Sequence, residues 1–299
     1  MAEGDMALDP DRGPPAALAA EPAGGSPKSV KSRTDWWAEA KSVFWLILAV
    51  LGFHSLVAKP FYIPSESMLP GLLVGDRLVV TKWPYGYSYI SPTFHVLPPI
   101  GGRLFGRVPT RGDVVIVTPP GSRTDYIKRV IGLPGDRLQV RDGVIWINGS
   151  AIKRVAKGEE MLPIDANTTC DPAHYAGRRV EEADGKAYCR LPIVRETLPN
   201  GRSYDTVDLG YSEVDDYGPI SIPGGHVFLM GDNRDNSADS RLSTEVGGLG
   251  GPVPWENIGG RAEFITFSLD GTAGLNPLSW WGAFRSGRAG GSLHPTTGE

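Results

Sequence analysis

Tyr126-Ile127-Lys128-Arg129-Val130-Ile131-Gly132-Leu133-Pro134-Gly135-Asp136 is the stretch that decides the fold. Its alternation over Ile127 to Ile131 has the period of a strand, and Leu133-Pro134-Gly135-Asp136 is turn chemistry. Side chains alternate across a strand, so Ile127, Arg129 and Ile131 share one face while Lys128 and Val130 share the other. Lys128 therefore meets a different environment from Arg129. Two readings of it stand open: a solvated strand lysine, or a lysine turned into the interior.

Outward from this stretch the same grammar recurs. Arg77–Lys82, Val114–Val117, Gly225–Met230 and Arg261–Ser268 read as strands. Arg137–Val140 and Val144–Ile147 flank Arg141-Asp142-Gly143, which holds a hairpin signal, and Asn148-Gly149 marks another turn. Arg111-Gly112-Asp113 is a tripeptide used by some adhesion ligands, but here it heads an apolar strand and reads as a turn. In 299 residues, 39 Gly and 26 Pro fit short strands joined by many turns. Residues 150–218 are polar, weakly periodic and hold both cysteines, so they read as an inserted β subdomain or loop region. Two stretches, the aromatic and proline-rich loop 83–109 and Trp280-Trp281, leave lipid contact and ordinary surface packing equally open.

The formal net charge of −4 gives no electrostatic case for a nucleic-acid partner. Neither a CxxC nor a Cys/His cluster is present for zinc, so no metal and no cofactor is expected. Residues 1–35, rich in Ala, Gly and Pro, read as a disordered cytoplasmic tail. Val43–Ala58 is apolar but for His54 and Ser55, and with its flanks it reads as a membrane anchor over 36–59. A cleaved signal peptide would begin nearer residue 1, and a core helix would show a polar face. Lys28, Lys31, Arg33 and Lys41 precede the anchor, which predicts the N-terminus inside and the remainder outside the cytoplasm. In that oxidising setting a Cys170–Cys189 disulfide and two free thiols both remain open. Residues 271–299 read as a flexible C-terminal tail.

Ile63-Pro64-Ser65-Glu66-Ser67-Met68-Leu69-Pro70 follows the anchor directly. Two prolines stiffen it, so a serine hydroxyl can be held in one place. Gly231-Asp232-Asn233-Arg234-Asp235-Asn236-Ser237-Ala238-Asp239-Ser240-Arg241 follows a buried-strand run and reads either as a hydrogen-bonded turn or as part of a site. A serine becomes a good nucleophile when a base takes its proton, and a lysine made neutral by burial can be that base.

Ile63–Pro70, Arg111–Val117, Tyr126–Asp136 and Gly231–Arg241, in this order behind an anchor, resemble the motif boxes of bacterial type I signal peptidase. The resemblance implies a mainly β protein: an antiparallel β catalytic domain of two sheets, partly barrel-like, over 60–149 and 219–270, behind a single transmembrane helix. It implies a membrane-anchored serine endopeptidase with Ser67 as nucleophile and Lys128 as general base. Ser65 would donate to the oxyanion, Ser237 would hydrogen-bond the lysine amine, and Asp239 with Arg241 would brace the site. Phe61, Ile63, Met68, Leu72 and Ile127 fall where the family binds small side chains before the cut. The implied substrates are exported preproteins, cut after small-x-small sites by a monomer in the bacterial inner membrane, near the export machinery. Gly71 departs from the Thr common at its place, and Glu245–Pro254 departs from the family's aromatic-Gly segment. Many relatives also carry two spans where this chain shows one. A specialised relative of the kind that matures a conjugation pilin, and a non-catalytic anchored β binding protein, are the alternatives. A self-cleaving repressor of the LexA type also pairs Ser with Lys, but it needs a DNA-binding domain and no anchor.

Overall fold

The computed structural model describes residues 35–94, 97–183 and 185–297. Nearly all of the expected N-terminal tail, with Lys28, Lys31 and Arg33, lies outside the described residues. Helix α1, Trp36–Leu56, buries none of its residues and is long and apolar enough to cross a membrane. Its 21 residues reach ~31 Å, about the thickness of a bilayer's hydrocarbon core. It ends at Leu56 and not at 59, because Lys59-Pro60 disfavours helical backbone before the proline and removes a donor. The chain divides into two units after Phe44, inside α1, and the unit from Trp45 onward carries the sheets.

The strands are β1 (Ala58–Tyr62), β2 (Asp76–Thr81), β3 (Val114–Val117), β4 (Tyr126–Gly132), β5 (Arg137–Arg141), β6 (Val144–Ile147), β7 (Ser150–Ala151) and β8 (Lys153–Pro163). They continue as β9 (Arg179–Glu181), β10 (Ala187–Thr197), β11 (Arg202–Val207), β12 (Tyr217–Ser221), β13 (His226–Met230), β14 (Val253–Pro254), β15 (Ile258–Ser268) and β16 (Thr296–Thr297). Their pairing forms three sheets: β1-β2-β15-β3-β4-β13-β14, then β16-β11-β10-β8 with β9 beside β10, then β12-β5-β6-β7; the first and third are the two expected of the catalytic segments, and the second comes mostly from 150–218. The third sheet is separate because two tight hairpins fold β5, β6 and β7 on themselves. Asp142 and Gly143, and again Asn148 and Gly149, take positive φ. Two successive positive-φ residues match the twist of a hairpin, and Gly there costs nothing.

The first sheet is covered on both faces. Val114 and Ile116 of β3 join a core with Ile63, Met68, Leu72 and Ile127, whereas Val115 and Val117 join another with Val130 and Leu229. Fully burying such a side chain is worth ~1.5–3 kcal/mol. β4 lies between β3 and β13 and is buried from Ile127 to Gly132. Lys128 and Arg129 are therefore both interior, although they point to opposite faces.

Residues 150–218 supply β8 to β11, most of the second sheet. Cys170 and Cys189 form a disulfide with Cα atoms 5.5 Å apart. By chain entropy a loop of that length is worth about 3 kcal/mol. The expected flexible C-terminal tail is instead folded. Helix α2 (Pro277–Ala283) buries Ala283, and Leu293 enters the core beside Ile63 and Met68. Arg285 reaches Asp165 at 2.7 Å, and Arg288 reaches Asp76 at 2.5 Å. β16 then closes on β11. Gly-rich composition hid this, because the segment is held by distant partners and not by its own propensity.

Candidate active site

Ser67 sits on a loop closed at its base by backbone hydrogen bonds. Ile63 N–H donates to Asp76 O at 3.0 Å and Gly75 N–H donates to Ile63 O at 3.0 Å. Between these, Leu69 N–H donates to Glu66 O at 3.1 Å and Leu72 N–H to Met68 O at 2.9 Å. Met68, Leu69 and Leu72 anchor the loop in apolar cores. Ser67 is buried and accepts a hydrogen bond from Lys128 Nζ at 2.8 Å. The exposed Ser65 places its Oγ 3.4 Å from Ser67 Oγ.

Lys128 projects from the middle of the first sheet, opposite Val115 on β3. Burial of its ammonium lowers its pKa to about 8, against the upward pull of the Asp239 and Asp232 carboxylates. A neutral amine is therefore available near neutral pH.

The Gly231–Arg241 segment surrounds this pair. Asp239 is fully buried, and burial alone would raise its pKa. The charge of Arg241 outweighs that, together with hydrogen bonds from the Arg241 side chain and from the Gly231 and Arg241 amides, and holds the carboxyl below its ordinary range. Arg241 Nη2 meets Asp239 Oδ2 at 2.9 Å. Asn233 N–H donates to Ser67 O at 3.1 Å, and Asn233 Nδ2 donates to Glu66 O at 3.1 Å. Asp232 accepts two hydrogen bonds from Arg129, at 2.7 and 2.6 Å. Arg234 donates to Glu196 at 2.5 and 2.7 Å.

Ser237 departs from expectation: its buried Oγ has no hydrogen-bond partner, whereas a bond to the lysine amine was expected. Lys128 Nζ is directed at Ser67, and Ser237 is packed against Gly231. A Cβ on Gly231 would stand 2.1 Å from Ser237 Oγ and 2.5 Å from Ser67 O. Gly231→Ala is accordingly expected to push the Ser67 backbone and Ser237 apart and to lower the cleavage rate by about 100-fold, the scale set by an ångström's misplacement. Overpacking should also cost ~1–3 kcal/mol. Single-turnover assay and thermal melting of the purified variant check both.

The expected substrate contacts come together, but as core. Ile63, Met68, Leu72 and Ile127 are buried in one cluster, and the half-buried Phe61 packs against it. Met68 and Leu72 also border a cavity of about 290 Å³ whose far wall includes Arg129, Asp232 and Tyr204. Sequence reading assigned no role to Arg129, Asp232, Asn233 or Glu196. The density of polar residues after a buried strand was the available signal for Asp232 and Asn233. Nothing local marked Glu196.

A buried lysine amine in hydrogen-bond contact with a serine hydroxyl, within an antiparallel β scaffold, is the arrangement that a serine hydrolase with a lysine base requires. The family model described as signal peptidase, peptidase S26, matches residues 36–267. The signal peptidase I of Rickettsia typhi is 37% identical over 252 residues, covering 81% of this chain and 82% of that protein. That of Rickettsia akari is 36% identical over 259 residues, covering 84% and 82%. A crystal structure of a signal peptidase I from Enterococcus faecalis shares 22% identity, covers 52% of this chain and 97% of its own, and has a TM-score of 0.27. The chain belongs to the signal peptidase family, peptidase S26. It is a signal-peptide-cleaving peptidase, and its substrates are preproteins that bear such peptides.

Proposed function

We propose that cleavage runs through a Ser67/Lys128 dyad; the single observation that carries this reading is the 2.8 Å contact between the two side chains in a buried setting. Neutral Lys128 takes the Ser67 proton as Oγ attacks the scissile carbonyl. The tetrahedral oxyanion is met by the Ser65 hydroxyl and the Ser67 backbone N–H. Collapse breaks the peptide bond, and the Lys128 ammonium returns its proton to the leaving amine. Lys128, neutral again, then deprotonates the water that releases the acyl group. Asp239 and Arg241 brace the segment that carries Ser237. Phe61, Ile63, Met68, Leu72 and Ile127 form the apolar wall that favours small residues at the first and third positions before the cut.

In this reading α1 is the anchor, with the N-terminus cytoplasmic and the sheets on the outer side of the inner membrane. Two features support that placement: α1 has the length of a span with no buried residue, and the Cys170–Cys189 disulfide belongs to an oxidising compartment. A signal peptide presents its cleavage site just beyond its own apolar segment, where an anchored enzyme meets it.

Only the neutral amine can act as base, so kcat/KM of the full chain in detergent should rise tenfold per pH unit and level off above about 8, the value to which burial lowers Lys128. Ser67→Ala should be inactive throughout. A rate flat from pH 6 to pH 10, or cleavage by the Ser67→Ala variant, sinks the dyad.

A further inference from the structure

Cys170 and Cys189 staple a segment that reaches the catalytic loop. Both sulfur-bearing residues share an apolar cluster with Tyr175 inside the stapled segment and with Leu69 and Leu73 of the Ser67 loop. The segment turns tightly before Tyr175, since Tyr175 N–H donates to Asp171 O at 2.8 Å and Ala173 N–H to Asp171 Oδ1 at 3.0 Å. That turn directs the buried Tyr175 toward the residues on either side of the nucleophile's carbonyl.

The contacts of the Tyr175 hydroxyl are specific. Asn233 Nδ2 donates to it at 2.9 Å and also donates to Glu66 O at 3.1 Å, while the Asn233 amide holds Ser67 O. Asn236 Nδ2 donates to it at 3.3 Å and to the Glu66 carboxylate at 3.4 Å. Glu66 is the residue between the two serines. Aiming both Nδ2 hydrogens this way leaves Asn233 Oδ1 buried without a partner. Such an orphan acceptor costs about 1–3 kcal/mol, so the amide orientation is one that its donors dictate.

We infer that the disulfide-stapled segment sets the position of the catalytic loop and that Tyr175 is the positioning residue through which it acts on Ser67. The disulfide holds the ring, the hydroxyl fixes two asparagine amides, and these fix the backbone of Glu66 and Ser67. Tyr175 acts through the two asparagines and is assigned no contact with the scissile carbonyl. The inference rests on Ser67 being the nucleophile.

The test uses the full chain in detergent and a preprotein substrate. Tyr175→Phe keeps the ring and removes the hydroxyl; kcat should fall about tenfold with KM within twofold, and the melting temperature should fall by only about 2–10 °C, the cost of one orphaned buried donor, so the fold is kept at assay temperature. Dithiothreitol, which breaks the S–S bond and leaves two thiols while its own thiols close into a disulfide, should lower wild-type kcat similarly. Reduction should lower kcat little further in Tyr175→Phe, because both changes cut the same chain of contacts. If the buried disulfide resists reduction, the Cys170→Ala/Cys189→Ala variant replaces that arm. Wild-type kcat in Tyr175→Phe overturns the inference even when the cysteine variant fails to fold, and so do losses that multiply. Ser67→Ala in the same assay separates the two claims: if it is inactive while Tyr175→Phe is fully active, only the positioning role fails.

Discussion

Lys128→Met is expected to abolish cleavage, by about 10⁴-fold or more, and yet to raise the melting temperature. The first effect follows from removing the base while leaving the serine and its backbone donor in place. The second follows from linkage. Burial lowers the pKa of Lys128 from 10.5 to about 8. Below pH 8 the native state must carry a buried ammonium, and the wild-type chain bears the full cost. Between about 8 and 10.5 the unfolded chain still binds a proton that the native chain has released, so wild-type stability rises with pH. Above 10.5 the penalty is gone. A shift of this size corresponds to about 3 kcal/mol, and loss of the hydrogen bond to Ser67 returns about 1 kcal/mol. Lys128→Met should therefore be more stable by about 2 kcal/mol at pH 7, with the gain shrinking toward pH 10. Preprotein cleavage and thermal melting at both pH values check it, and a variant less stable than wild type at pH 7 contradicts the buried ammonium.

Glu196→Ala is expected to lose about 3–5 kcal/mol of stability, because it strands a buried guanidinium. Glu196 is fully buried, as is nearly all of the Arg234 side chain. Its carboxylate also accepts from Tyr204 OH at 3.0 Å, so the truncation orphans a second donor. The pair links the second sheet to the segment whose Asn233 holds Ser67, hence activity should fall at temperatures well below the wild-type melt. For a chain of this size the loss amounts to a drop in Tm on the order of 10 °C. Replacing both partners by apolar residues, Glu196→Leu with Arg234→Met, should recover most of the stability, since no charge is then left alone. Melting curves of the three proteins in detergent decide it; a single variant that melts like wild type refutes the argument.

Much of the first sheet was legible from local pattern. A continuous apolar run marked β3 and alternation marked β4, and the Asp142-Gly143 and Asn148-Gly149 turns carry the positive φ values that such pairs permit. The apolar run marked α1, whose end three residues early was written in Lys59-Pro60. The candidate site was legible in a different way. Spacing alone left Ser67 and Lys128 unconnected, and it was the resemblance of four short segments to a family that paired them.

Glu196 shows why the rest was hidden. In β10 the alternation runs inward through Cys189, Leu191 and Ile193, which would next turn Arg195 inward. A register shift between Ile193 and Val194, against β8, turns Glu196 inward instead. That irregularity belongs to the pairing of two strands, and neither strand states it. The C-terminal segment is similar: Arg285 and Arg288 find Asp165 and Asp76, more than a hundred residues away in sequence, so its order has no local cause.

By itself the sequence determined α1 and the strands β2 to β6, β13 and β15, since side-chain period, proline placement and turn residues act over a few positions. Tertiary structure alone decided which charges are buried together, which face of β4 meets Ser67, that Cys170 and Cys189 are bonded, and that Ser237 has no partner. Those outcomes depend on loop closure and on the burial of polar groups against distant chain, and burial is a property of the assembled sheets.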